Sequence, residues 1–262
     1  MNRICVHDRA TLETFFRRNP LWNAYSLGDL DDAFWPHTTW YALAEDGEFQ
    51  AVALMYSGLT LPTLLCMDDP HDPSRHKELL GTLLPLLPAR FYAHLGCGLA
   101  EVLKDRYSLL SHGLHCKMVL TDRSRLPGQD DERAVALTRN DLLEVQAFYE
   151  AAYPGSWFEP QMLDTCQYLG LRLKGELASV AGVHVYSPTY RVAALGNIAT
   201  VPTHRDKGCA KAVTGQLCRH LLGTVDHIGL NVKADNAAAI ACYESLGFEI
   251  QGTYEEVMAQ LV

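Results

Sequence analysis

GNIATVPTHRDKGCAKAVTGQL, residues 196–217, decides how this chain is read. A run of strand formers ends at Thr200, and Pro202 and a polar turn follow. Arg205, Gly208 and the small Ala210 then stand at the opening of a helix expected from Gly208 to Leu222, with Val213, Leu217 and Leu221 on one face. The first turn of a helix leaves backbone N–H groups unpaired, and its aligned peptide dipoles favour negative charge there. Gly208 has no Cβ to hold a phosphate away from the backbone. Ala210 keeps the next turn open, and Arg205, Lys207 and Lys211 attract anions from a distance. The stretch therefore reads as a cradle for a polyanion, with a plain strand-to-helix turn as the alternative for this motif alone. It is neither G-x-G-x-x-G nor a loop ending in G-K-[ST], which disfavours dinucleotides and nucleoside triphosphates.

A second constellation, LNVKADNAAAIACYESLGFE (230–249), lies one strand and one helix downstream. Asn236 and Tyr243 are seven residues apart, two helical turns, so they share a face at roughly 10 Å. Ala237, Ala238 and Ala239 make a low wall beside which a slender ligand arm could lie. Taken singly, Asn236 reads as a helix cap and Tyr243 as a core aromatic. Together, and after an anion loop, they point to a bound ligand.

Around these motifs the second half of the chain reads as alternating helix and strand. Asp141 to Ala152 has helical apolar spacing, with Asn140 or Asp141 as cap. YLGLRLK (168–174) and LASVAGVHVYS (177–187) form two antiparallel strands hinged at Gly175-Glu176, and YRVAALGNIAT (190–200) is a third. HIGLNVKA (227–234) is a strand and Asn236 to Gly247 a helix. FEIQGTYEE (248–256) and VMAQLV (257–262) close as a hairpin or as paired strands. The first half repeats this order loosely: a hairpin around Glu45 to Glu48, strands at 59–67 and 90–96, helices at 74–87 and 99–111, and a strand at 114–120. TDRSRLPGQDDE (121–132) is polar, carries Pro127 and Gly128, and reads as a linker. Two copies of one α/β unit, or two unrelated α+β domains, fit this order.

The 262 residues are 48% hydrophobic and 20% charged, enough for one or two cores and unlike a disordered chain. Net charge is −9, split as −4 before and −5 after residue 130, with no Lys/Arg run. Nucleic acid is therefore not an expected partner, because that binding needs clustered positive charge. The opening residues lack the apolar core of a signal peptide. The longest apolar stretch, Leu79 to Leu87, is too short for a bilayer and contains Pro85. Eight cysteines stand singly, with no C-x-x-C pair, which predicts reduced thiols and a cytoplasmic protein with no membrane association.

With both motifs in view, the chain resembles the GNAT superfamily of acyl-CoA-dependent N-acetyltransferases. NIATVPTHRDKGCA is similar to its acetyl-CoA segment, a strand leading into R-x-x-G-x-G/A. LNVKADNAAAIACYESLGF is similar to its second cofactor segment, N-x-x-A-x-x-x-Y-x-x-x-G-F. The likeness covers about residues 140–252 and is greatest to bacterial enzymes that acetylate protein N-termini. It implies an α/β (α+β) fold with a mixed, mostly antiparallel sheet flanked by helices, arranged as two tandem GNAT-like domains. Residues 1–120 would be a degenerate copy, 121–131 a linker and 132–262 the acetyltransferase domain. The backbone of Ile198, Ala199 and Thr200 would pair with the pantetheine arm. Arg205, Asp206, Lys207, Gly208, Cys209, Ala210 and Lys211 would cradle the pyrophosphate. Asn236 would hydrogen-bond the arm, and Tyr243 would stand beside the sulfur as general acid.

The implied reaction is transfer of an acetyl group from acetyl-CoA, as co-substrate, to a primary amine by direct attack, without a metal. The alternative is a non-catalytic acyl-CoA-binding or regulatory protein. One departure favours that alternative: where N-terminal acetyltransferases of this type carry a Glu base on the strand LNV, this chain has Asn231, which takes no proton at neutral pH. The base is then a water chain, or His184, or none is needed by an amine that arrives neutral. His112, His115 and Cys116, with Cys97 upstream, have poor zinc spacing. Gly155-Ser156 lacks the G-x-S-x-G elbow. Trp22, Trp35 and Trp40 read as core of the first block, or as one wall of a groove. The segment 153–162 falls where such enzymes contact substrate, though a loop leading into a helix explains it equally well.

Overall fold

The computed structural model describes residues 2–67 and 73–262. In chain order the first elements are β1 (Asn2–Val6), α1 (Arg9–Phe16), α2 (Ala24–Gly28), β2 (Thr38–Glu45), β3 (Glu48–Tyr56), β4 (Thr63–Cys66), α3 (Ser74–Leu83), β5 (Arg90–Gly96), α4 (Ala100–Leu103) and β6 (Tyr107–Leu120). Then come β7 (Ala134–Ala136), α5 (Leu142–Ala152), β8 (Leu169–Leu173), β9 (Glu176–Ser187), β10 (Val192–Thr200), α6 (Cys209–Leu221), β11 (His227–Lys233), α7 (Ala237–Glu244) and β12 (Phe248–Leu261). Internal contacts divide the chain into two compact units. Unit 1 is Met1–Lys117, Val232–Asn236 and Ile250–Val262, and unit 2 is Met118–Asn231 and Ala237–Glu249.

Both units are built by the same local rules. In unit 1, β2 and β3 form the expected hairpin, and Asp46 and Gly47 at its tip both have positive φ (53° and 86°). In unit 2, β8 and β9 are joined by Lys174 and Gly175 with φ of 53° and 89°. Two-residue turns of this hand match the right-handed twist of the strands they join. Each hairpin is followed by a further strand, a helix and a parallel partner: β4 with β5, and β10 with β11. The mixed, mostly antiparallel α/β architecture and the repeat of its order are therefore as the sequence led us to expect. In unit 1 a core of Leu64, Leu79, Leu83, Phe91, Leu95 and Leu103, among others, lies between the strands and α3 and α4. In unit 2, Val145, Phe148 and Tyr149 of α5 pack with Leu163, Tyr168 and Leu177.

Three local expectations differ. The helix predicted over 99–111 stops at Leu103, and β6 begins at Tyr107. Tyr107 donates to the Leu87 carbonyl (3.1 Å) and meets Phe91 edge-on at 5.2 Å, so packing overrides a pattern that is also helical. The predicted hairpin or strand pair after Phe248 is one 14-residue strand, β12. It pairs with β5 from Tyr254 opposite Gly96 to Gln260 opposite Arg90, and no turn residue interrupts it at Glu256-Val257. The helix expected over 74–87 ends at Leu83, short of Pro85, whereas α5 takes Asp141 as its N-cap, one of the two residues expected.

The polar stretch 121–131 is docked on unit 2. The Thr121 and Asp122 N–H groups both donate to the Gly247 carbonyl (3.0 Å each), closing α7. Pro127 lies on Gly215 of α6, Arg219 reaches the Pro127 carbonyl and Asp130, and the Asp131 N–H donates to Gln216 Oε1 (2.9 Å). Among the described residues, no helix is long and apolar enough to cross a membrane.

Candidate active site

The strand, turn and helix expected around residue 200 are present. After β10, Pro202–His204 makes one 3-10 turn, Asp206 and Gly208 adopt left-handed φ (62° and 76°), and α6 starts at Cys209. No side chain caps α6, and its first backbone bond runs from the Ala212 N–H to the Gly208 carbonyl (3.0 Å). Among the described residues nothing lies within 4 Å of where a Gly208 Cβ would be, and no acidic residue occupies the first turn. An uncapped helix end with open space above it, flanked by Arg205, Lys207 and Lys211, is suited to an anion. Lys207 Nζ bonds the Thr203 carbonyl (2.7 Å). Arg205 spans two segments: Nε donates to the Thr200 carbonyl and Nη2 to the Ala152 carbonyl at the end of α5, both at 3.2 Å. It thus braces the loop itself, a role the sequence did not announce.

Below the loop, β10 leaves β11 but stays paired with β9 to Thr200. Its registered pairing with β11 ends at Leu195 opposite Leu230, although β10 runs five residues further, to Thr200. Against β9 the register passes from Gly196–Gly182 to Ala199–Val180, so Asn197 and Ile198 stand opposite one residue. This is a β-bulge, a device that redirects a strand and frees backbone groups. Of the three residues expected to offer backbone to a ligand, Ala199 faces β9, where its carbonyl accepts from Ser179 Oγ (2.8 Å). Ile198 lies in the bulge, and the Thr200 carbonyl takes the Arg205 bond.

Asn197, which sequence reading passed over, holds the bulge. It is 5% exposed with φ of 53°. Its carbonyl accepts from Tyr149 Oη (2.6 Å), and its Nδ2 donates to Tyr168 Oη (3.0 Å). Burial pushes both phenols up, so both stay protonated and able to donate. The one signal available in the sequence was an amide in the middle of a strand of β-formers, where a left-handed residue is tolerated best if it is Asn or Gly.

Tyr243 sits on α7, which packs against α6. Its ring is 7% exposed and 6.0 Å from Phe248. Burial raises its phenol, and Cys242, Tyr153 and Cys218 act in the same direction. Tyr243 therefore keeps its proton at neutral pH. Among the described residues no protein group hydrogen-bonds its hydroxyl. Lys211, in the first turn of α6, acts electrostatically on Cys242, the residue before Tyr243, which places α6 next to α7. Asn236 is exposed, immediately before α7, with its N–H on the Lys233 carbonyl (3.0 Å). Asn231 is half-buried, and its Oδ1 is shut off from solvent without a hydrogen-bond partner among the described residues. His184 lies against Gly196. Tyr153 and Trp157, in the segment after α5, are exposed.

The rejected metal candidates lie in unit 1, and among the described residues no group of three His, Cys, Asp or Glu could hold a metal. His115 instead lies 3.6 Å from Glu256 Oε2, and His94 lies 3.8 Å from Oε1. Tyr254 donates to Glu256 Oε1 (2.6 Å), and Tyr92 donates to Oε2. The two histidines and two phenols hold that buried carboxylate below its usual range. Nearby in the chain, Lys117 is 4% exposed, with Nζ on the Trp22 carbonyl (2.5 Å) and 4.6 Å from the Trp22 ring. Burial pushes its pKa down to about 7. Of the three tryptophans expected in the core, Trp22 and Trp40 are buried, and Trp35 is half-buried, stacked on Trp40.

The Acetyltransferase (GNAT) family matches residues 135–248. The [ribosomal protein bS18]-alanine N-acetyltransferase of Escherichia coli (strain K12) is 33% identical over 122 residues, 43% of this chain and 78% of that enzyme. Among solved structures, a GCN5-related N-acetyltransferase from Sphaerobacter thermophilus matches with TM-score 0.58 and 14% identity, covering 98% of this chain and 95% of that one. A tandem GNAT protein from the clavulanic acid biosynthesis pathway matches with TM-score 0.54 and 14% identity over 99% and 98%. At such identities these two likenesses speak for the fold, which extends the family architecture to the whole chain. The sequence matches and the site geometry agree: the chain belongs to the GNAT acetyltransferase family, which implies use of acetyl-CoA with an acceptor substrate.

Proposed function

We propose that unit 2 transfers the acetyl group of acetyl-CoA to a primary amine by direct attack, with Tyr243 as general acid. The observation that carries this reading is the open, uncapped start of α6 at Gly208, beside the helix that bears Tyr243 and above the point where β10 parts from β11. Residues 205–211 would hold the pyrophosphate, and the edge of residues 198–200 that runs on past the pairing with β11 would hold the pantetheine arm. Asn236 is assigned to that arm on its motif alone. Acetyl-CoA supplies an acyl thioester. The chain supplies position, an anion site and protons. A free CoA thiol titrates near 8.5, so its departing sulfur accepts a proton readily from a phenol that burial keeps protonated. Against this reading, Asn231 in place of a carboxylate favours a protein that holds acyl-CoA without turnover.

Thiol release from acetyl-CoA, measured with a panel of amines and with mass spectrometry of the products, separates the two. Amine-dependent release that falls about 100-fold or more in Tyr243→Phe, with CoA affinity kept, supports transfer. CoA binding without release from any amine supports the holding protein.

A further inference from the structure

Direct attack needs a neutral amine, and the strand position where a carboxylate base might stand holds Asn231. The register of β9 identifies another group. Ala194 is opposite Val185 and Leu195 is opposite Val183, so His184 is the inserted residue of a bulge on β9. Such a bulge re-aims the side chain it carries. Here the ring is laid over β10: a Cβ on Gly196 would stand 2.2 Å from His184 Cδ2 and 2.3 Å from Nε2. Only glycine admits the ring at that position.

The face on which this happens follows from the pairing. Gly196 is opposite Gly182, and a Cβ on Gly182 would meet the Tyr168 ring at 2.1 Å. Directly opposed residues share a face, so His184 and Tyr168 lie on one side of the strands. That is the side of α5, because Tyr168 meets Phe158 edge-on and Phe158 stacks on Tyr149. Leu195 and Leu230 are the last pair of β10 and β11, so the next residues, Gly196 and Asn231, point together to the opposite face from those leucines. Asn231 therefore shares the face of the His184 ring, one residue past the point of parting, and its Oδ1 is buried there with no hydrogen bond among the described residues.

We propose that His184 is the general base of the reaction and that Asn231 Oδ1 positions the acceptor amine by accepting one of its N–H bonds. This rests on the acetyl-transfer reading above. The amine lone pair forms the C–N bond, and the C–S bond breaks with its electrons on sulfur. The N–H proton passes to His184 Nε2, and sulfur takes the proton of Tyr243 Oη. Solvent then removes the proton from the imidazole and restores the phenol's. An imidazole ordinarily titrates near 6.5, suited to collecting a proton at neutral pH, and an amide is not.

The test uses the full chain with the amine found active in the screen. His184→Ala is expected to lower kcat by about 100-fold or more, with CoA affinity by calorimetry unchanged and activity partly restored by added imidazole. His184→Gln, which fills the same space, is expected to lower kcat equally without rescue. Asn231→Ala is expected to raise KM for the amine more than it lowers kcat. Full kcat in both His184 variants, with Tyr243→Phe inactive, overturns the assignment of the base and leaves acetyl transfer standing. A wild-type chain that binds CoA but acetylates no amine overturns both.

Discussion

Gly208→Asp separates folding from anion binding at one atom. A Cβ at position 208 meets nothing within 4 Å, so the substitution costs no contact. The remaining cost is the left-handed backbone at φ 76°, about 1–2 kcal/mol for a residue with a side chain and at the low end for Asp. A carboxylate at an uncapped helix start recovers about 0.3–1 kcal/mol of that from the dipole. The variant should therefore melt within a few degrees of wild type. Binding behaves differently: two like charges about 5 Å apart at an effective dielectric near 20 repel by roughly 3 kcal/mol, on the order of 100-fold in Kd. Calorimetric titration with CoA, beside a thermal melt of the unliganded protein, reads both quantities. Gly208→Asn keeps the shape without the charge and should lose much less affinity. If Gly208→Asp melts normally and binds CoA within threefold of wild type, the helix end at Cys209 does not hold the phosphates, and the placement of every neighbouring contact falls with it.

Two further outcomes test the frame. Gly247→Ala should cost 3 kcal/mol or more in a urea melt, since its φ is 94° and a Cβ would stand 2.0 Å from the Asp122 carbonyl oxygen. Gly175→Ala, with φ of 89° and open space around it, should cost only about 1–2 kcal/mol; equal losses refute the docking of 121–131 on α7. Lys117, held at about 7 by burial against about 10.4 unfolded, binds fewer protons folded than unfolded between those values. Stability should thus rise with pH from about 7 to 10 by up to roughly 4 kcal/mol, and Lys117→Met should abolish that rise; parallel pH–stability curves for the two proteins refute it.

Several features were legible in the linear chain because they depend on neighbours in sequence. The Gly-tipped hairpins at 46–47 and 174–175 are set by two residues that take positive φ. The start of α6 is set by Gly208, and the two-turn spacing from Asn236 to Tyr243 is set by helical pitch. The element order of both halves, and with it the fold family, followed from these signals. The bulge held by Asn197, the brace made by Arg205 and the placement of the His184 ring over β10 were not legible. Each depends on a partner 12 to 53 residues away: Tyr149 and Tyr168 for Asn197, the Ala152 carbonyl for Arg205, and the bare backbone of Gly196 for His184.

The amino-acid sequence by itself determined the α/β class, the glycine turn that opens α6 and the phenol two turns along a later helix, because short-range sterics and hydrogen bonding fix those within a dozen residues. Only the tertiary structure decided that β12 is one continuous strand paired with β5, that 121–131 lies on α6 and closes α7, and that a bulge turns His184 over Gly196. Strand register is chosen by which faces bury together over the whole ladder, and a one-residue slip reverses every side chain, so no local stretch of sequence carries that information.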